Sequence, residues 1–151
     1  MRFNKYFLAL SVFSLILISG CASNNTEDIL KINLREHKNI ALHIHPFLEI
    51  EIGGQKQIIP ANTGISGQGM RVIHTHDDTG KLHIEAPYEH QFYLKDFFVI
   101  WGKNFNNTCI FDRCVDQNHT LSVNVNGADD PRFGDIPLVD GDKIKIVYNK
   151  R

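Results

Sequence analysis

Residues 40–52 read IALHIHPFLEIEI and alternate apolar with polar side chains. Successive side chains of a strand point to opposite faces. Ile40, Leu42, Ile44, Leu48, Ile50 and Ile52 therefore share one face, and His43, His45, Phe47, Glu49 and Glu51 share the other. This period predicts a strand with one face buried. Pro46 has no N–H to give to a ladder, so the strand bends there or lies at an edge. Gly53-Gly54 turns the chain, and QKQIIP is the returning strand.

A second constraint lies in IHTHDDTGKLHIE, residues 73–85. Thr79-Gly80 reads as the two-residue tip of a β-hairpin, because glycine accepts the positive φ such a turn demands. That tip sets His76 opposite His83 and His74 opposite Glu85, with Asp78 facing Lys81 and Asp77 facing Leu82. Opposed residues share a face with Cβ atoms about 4.5–5.5 Å apart. His74, His76, His83 and Glu85 then form one polar square, while Ile73, Thr75, Ile84 and Ala86 point the other way. A four-residue loop preserves this parity and a three-residue loop breaks it.

The rest of the chain is also rich in strand signals. NTGISGQGM is a glycine-rich loop leading into the hairpin, and YLKDFFVIWG fits either a short helix or a strand. HTLSVNVNG and DKIKIVY read as strands flanking PLVDGD. The fold expected is mainly β, with α+β as the alternative: a small antiparallel sheet, curled or sandwiched, with one or two short helices at most.

Five of the eight histidines fall in the pairs His43/His45 and His74/His76 and in the pair His83/Glu85. At spacing two on a strand, both members of each pair project from one face. A lone H-x-H reads as a half-exposed polar face; three pairs, two of them joined by one hairpin, read as a metal site. Crowded imidazoles repel when protonated, and burial lowers their pKa, so neutral lone pairs are left aimed at a common space. His43, His45, His74, His76, His83 and Glu85 are the candidate ligands. Imidazoles with one carboxylate suit zinc, copper, iron or manganese and argue against magnesium and calcium, which take oxygen ligands. Affinity for nitrogen donors peaks at copper, which ranks copper first, zinc second and iron after them. Met70 shares the parity of His74 and His76 and is a soft donor or a packing residue. Asp77 and Asp78 belong to turn chemistry and to contacts that support the metal ligands. His37, His90 and His119 stand alone and read as surface or core residues.

The two ends of the chain differ in kind. Arg2 and Lys5 precede YFLALSVFSLILI, an apolar run too short to span a bilayer comfortably. Ile18-Ser19-Gly20-Cys21 resembles the lipobox of bacterial lipoproteins, which implies cleavage before Cys21 and its lipidation. Ala22 follows, not the Asp that often retains such proteins at the inner membrane of Gram-negative bacteria, so the outer membrane facing the periplasm is favoured. The expected organisation is a signal peptide at 1–20, a lipidated Cys and polar tether at 21–30, and a single β domain at 31–151. Without residues 1–20 the chain has 14 basic and 17 acidic side chains, a net charge of −3. No basic stripe remains, so nucleic acid is not an expected partner. In an exported protein, Cys109 and Cys114 of CIFDRC are expected to form a disulfide.

Three further resemblances bear on fold and chemistry. V-N-G followed by L-x-D-G-D-x-I-x-I-x-Y, at 125–148, resembles the closing strands of β-grasp domains. His43-x-His45-x-x-x-Glu49 resembles part of the first metal motif of cupins, but His37 stands where that motif has its leading glycine, and the second motif is missing. Across residues 43–148 the ordered motifs H-x-H-P-x-L-x-I, I-P-x-x-I-G-I, H-T-H-D-x-T-G-x-I-H-I-E and F-F-x-x-W-G resemble those of an uncharacterised group of exported or membrane-tethered prokaryotic proteins. The matching residues include His43, His45, Pro46, His74, His76, Asp77, Gly80, His83, Glu85, Phe97, Phe98, Trp101 and Gly102, while Thr63 replaces an isoleucine. This likeness implies export and carries no activity. The residues themselves point to a lipid-anchored protein that binds a transition metal. The alternatives are a cupin-like metalloenzyme, oxidoreductase or hydrolase, with Glu49 or Glu85 as base, and an interaction module without metal.

Overall fold

The computed structural model describes residues 28–151. The expected signal peptide, the lipobox-like stretch with Cys21 and the expected tether up to residue 27 lie outside the described residues. Among the described residues no helix is long and apolar enough to cross a membrane. Asp28 caps a 3-10 turn over Ile29–Lys31, and Ile29 and Leu30 already pack against the core.

The alternating segment becomes two strands, β1 (Leu42–Ile44) and β2 (Phe47–Ile52), with His45 and Pro46 between them. Pro46 cannot donate, and it is here that the chain passes from one sheet to another. Next come β3 (Gln55–Gln57), then the short pair β4 (Ile65–Ser66) and β5 (Gly69–Met70) of the glycine-rich loop. β6 (Ile73–His74) and β7 (His83–Ala86) are the arms of the histidine hairpin, followed by helix α1 (Leu94–Trp101). The chain closes with β8 (Cys109–Ile110), β9 (Arg113–Cys114), β10 (His119–Val125), β11 (Ala128–Asp129) and β12 (Lys143–Lys150).

The larger sheet has the order β11-β10-β12-β2-β3. Its central pair, β12 and β2, is parallel, and the pairs on either side are antiparallel. The protein is mainly β as expected, with one parallel pair inside an otherwise antiparallel, open sheet. Ile144, Ile146 and Tyr148 alternate inward from β12 beside Leu48 and Ile50 of β2 and Leu121 and Val123 of β10. On the other face Lys145 pairs with Glu49 and Glu51 at 3.0 and 2.8 Å. The smaller sheet, order β1-β7-β6, carries the histidines.

YLKDFFVIWG is a helix. Leu94, Phe97, Phe98 and Trp101 recur at i, i+3, i+4 and i+7, so a helix gathers all four on one stripe. Asp96 accepts the Tyr93 N–H at 2.8 Å to start it, and Gly102 at φ 69° ends it. Leu94, Phe97 and Phe98 are fully buried, and Phe105 stacks on Phe98 at 4.5 Å. Each such apolar side chain contributes about 1.5–3 kcal/mol by leaving water. Cys109 and Cys114 face each other across β8 and β9 and are disulfide-bonded.

One glycine fixes the hairpin against the larger sheet. Gly80 has φ 90°, and its carbonyl accepts the Leu48 N–H at 2.8 Å. A Cβ there would lie 2.4 Å from the Leu48 carbonyl oxygen. Gly80→Ala is therefore expected to destabilise the fold by about 2 kcal/mol or more, read as a lowered midpoint in urea. A midpoint unchanged from wild type would mean that this contact does not set the hairpin.

Candidate metal centre

β7 is the middle strand of the histidine sheet, and two registers meet on it. From β6, Ile73 faces Ile84 and His74 faces His83. From β1, Leu42 faces Ala86, His43 faces Glu85 and Ile44 faces Ile84. The isolated bridge Phe47–Lys81 keeps this second register past Pro46, which places His45 opposite His83. His83 thus has His74 on one side and His45 on the other.

The expected pairing of His76 with His83 and of His74 with Glu85 is therefore displaced by two residues. Three hydrogen-bonded contacts displace it. Thr75 leaves β7 after His74, its N–H donating to the Thr63 carbonyl and its carbonyl accepting the Asn62 N–H, both at 3.0 Å. The Leu82 N–H donates to the Pro46 carbonyl at 2.9 Å, so residues 80–82 run beside residues 46–48 and not beside 76–78. Between these anchors, Asp77 accepts the Thr79 N–H at 2.9 Å and closes a local turn. A shift of two keeps parity, so Ile73, Ile84 and Ala86 are buried on the far side. The square itself opens out: Glu85 pairs with His43, its Oε1 3.3 Å from His43 Nε2.

Five imidazoles converge. Measured from the His83 ring, the centroids of His76, His45, His74 and His43 lie at 4.5, 4.6, 5.6 and 6.4 Å. His43 and His45 are 4.6 Å apart, and His74 and His76 are 4.9 Å apart. Two trios, His43/His45/His83 and His74/His76/His83, each bring three ligand atoms within 4.8 Å of one another and could hold a metal ion. His83 belongs to both.

The five differ in burial. His43 and His76 are exposed, and His45 and His83 are half-buried. His74 is fully buried, so it does not lie on a half-exposed face. Its Nδ1 sits 3.0 Å from the Arg71 carbonyl. A carbonyl only accepts, so Nδ1 carries the proton and Nε2 is a bare lone pair. That Nε2 is buried and has no hydrogen-bond partner among the described residues. Gly64 seats this strand closely: at φ 79°, its Cβ would lie 2.5 Å from the Ile73 carbonyl and 3.1 Å from His74 Cβ.

Charge follows from the crowding. Burial, then the neighbouring His76, His45 and His74, push the His83 pKa from the usual 6.5 to about 4, with Glu85 opposing. Burial also lowers the His74 pKa, against the Arg71 carbonyl and Glu85, which favour its protonated form. Two candidate ligands at the middle of the cluster are thus neutral at neutral pH, the state in which imidazole binds metal.

Two positioning groups carry no sequence signal as metal-site residues. Asp140, in the PLVDGD turn before β12, accepts the His45 N–H at 2.7 Å. The Arg71 carbonyl fixes the His74 tautomer. Only the three-dimensional approach of residues 95 positions apart reveals the first. The remaining candidates lie elsewhere. Met70 sits on β5 facing Ile65 and packs on the core, and Glu49 is held by Lys145. His37 ends the 3-10 turn Leu34–Glu36, His90 packs on Phe92 at 4.7 Å, and His119 bonds Asp116 at 2.8 Å and stacks on Tyr148.

No protein-family model matches the chain, and neither a curated protein nor a solved structure gives a significant match.

Proposed function

We propose that this protein is a lipid-anchored, extracytoplasmic protein that binds a transition metal ion, copper first and zinc second with iron as a further alternative, through His43, His45, His74, His76 and His83. Glu85 orients His43 in this reading. The observation that carries it is His74 Nε2, a buried lone pair without a partner on a ring whose other nitrogen donates to a backbone carbonyl. An unpaired buried acceptor costs about 1–3 kcal/mol, and a bound cation turns that cost into a bond. Metal-ligating histidines commonly donate their second ring N–H to a carbonyl or carboxylate, as His74 does. An all-imidazole donor set favours copper by the affinity order of the divalent ions.

The signal-like N-terminus and lipobox support export and anchoring at Cys21, with Ala22 favouring the outer membrane. The Cys109–Cys114 disulfide is in keeping with an oxidising compartment. Elemental analysis of the full chain, purified without a polyhistidine tag, tests the central statement. About one equivalent of copper or zinc per chain is expected, and none in His83→Ala. Equal metal content in both would place the ion outside the cluster.

A further inference from the structure

We infer that the five histidines offer one ion two positions that share His83: an inner one completed by His74 and His76, and an outer one completed by His43 and His45. This rests on the metal-binding reading above and adds to it a route by which the ion reaches its final ligands.

Five imidazoles exceed a tetrahedral shell of four, and the ligand atoms gather as two trios, not as one group of five. His83 is the member they share. A neutral imidazole has one lone pair, its other nitrogen carrying the proton. His83 therefore serves one ion at a time, and the two positions exclude each other.

The positions differ in what the ligands do before the ion arrives. His43, 54 % exposed, has Glu85 3.3 Å from its Nε2. His45 is 34 % exposed, with its backbone N–H fixed by Asp140. These two are reachable from solvent and lose a polar neighbour or water when they bind. His74 has no such alternative, because its Nε2 is buried and unpartnered. Binding at the inner position removes a standing desolvation cost; binding at the outer one does not. The outer trio is the place of arrival and the inner trio the place of rest. In passing between them the ion keeps His83 as a ligand, while bonds to His43 and His45 break as bonds to His74 and His76 form, and its oxidation state does not change.

The test uses zinc(II) and the full chain, with a chromogenic chelator as competitor for affinity and rapid mixing for uptake. His43 and His76 are both exposed, so replacing either with alanine opens one trio without disturbing the core. His76→Ala is expected to weaken equilibrium affinity about tenfold or more while slowing uptake less than His43→Ala does. His43→Ala is expected to slow uptake and to cost less equilibrium affinity than His76→Ala. His83→Ala should lose both, and wild type should saturate at one ion. Equal losses of affinity in His43→Ala and His76→Ala would overturn the two-position scheme in favour of one joint site, and two ions at saturation would overturn the exclusion. A wild-type chain that takes up no zinc and no copper would overturn the metal reading itself.

Discussion

Saturating copper(II) or zinc(II) is expected to raise the melting temperature of the wild-type chain by about 10 °C at pH 7.5, and that of His74→Leu, which keeps only the outer trio, by clearly less. A ligand at about 100 times its dissociation constant stabilises the native state by about 2.7 kcal/mol when the unfolded chain does not bind it. For an ordered unit of this size, each kcal/mol moves the midpoint by about 4 °C. Leucine suits the variant because His74 is fully buried. Alanine would open a cavity and confuse lost binding with lost packing, whereas leucine fills much of the ring volume. Leucine also removes the buried Nε2 lone pair, relieving about 1–3 kcal/mol, and gives up the Nδ1–H bond to Arg71, worth about 1 kcal/mol. The chelator-treated variant should therefore melt near or above chelator-treated wild type. A metal-induced rise in His74→Leu as large as that of wild type would show that the ion sits away from this ring.

The same residue shows what was legible in the sequence. The two-residue period of IALHIHPFLEIEI and IHTHDDTGKLHIE reported which side chains share a face, and parity survives a register shift of two. It did not report partners. The tip at Thr79-Gly80 is a sound local reading, since Gly80 does have positive φ. It was outweighed by tertiary contacts: Thr75 pairs with Asn62 and Thr63, and residues 80–82 pair with 46–48. Those long-range bonds make β7 a central strand, and a central strand brings His45 to one side of His83 and His74 to the other. Pro46, read as a bend or an edge, does more than bend the strand. It lets one stretch of chain serve the histidine sheet before it and the larger sheet after it. The full burial of His74 could not be foreseen from alternation either, because it depends on the close seat that Gly64 provides.

The metal-free chain is expected to lose stability steadily as the pH falls from about 6.5 to about 4, before most carboxylates titrate. Unfolded, His83 takes up its proton near pH 6.5; folded, it does so only near pH 4. Between those values the unfolded chain holds the extra proton, so acid favours unfolding and stability rises with pH. Above the window His83 is neutral in both states and below it charged in both, so its contribution is flat at either end. The gap corresponds to at most about 3 kcal/mol, which solvent around the half-buried ring reduces to about 1–2 kcal/mol. His74, whose pKa is also lowered, acts in the same direction from pH 6.5 downward. Asp77 and Asp116 are held below the usual carboxylate range by hydrogen bonds, from Thr79 to Asp77 and from Asn118 and His119 to Asp116. Their stabilising effect is lost only below about pH 4, which separates it from the histidine window. Asp96, raised by burial, is protonated first in the folded state and opposes the loss slightly just above the usual carboxylate value. Bound metal steepens the slope, because the loaded native state keeps its ligand imidazoles neutral while every ligand histidine of the unfolded chain takes up a second ring proton. Melting curves with zinc and with chelator should therefore lie furthest apart at pH 7.5 and converge below about pH 5. Circular-dichroism melts from pH 7.5 to 4 with and without zinc measure both slopes, and His83→Gln should flatten the chelator curve. A chelator curve already flat over that range in wild type would mean that His74 and His83 are solvated as freely in the fold as in the unfolded chain, and that no neutral lone pairs are held in place there for an ion.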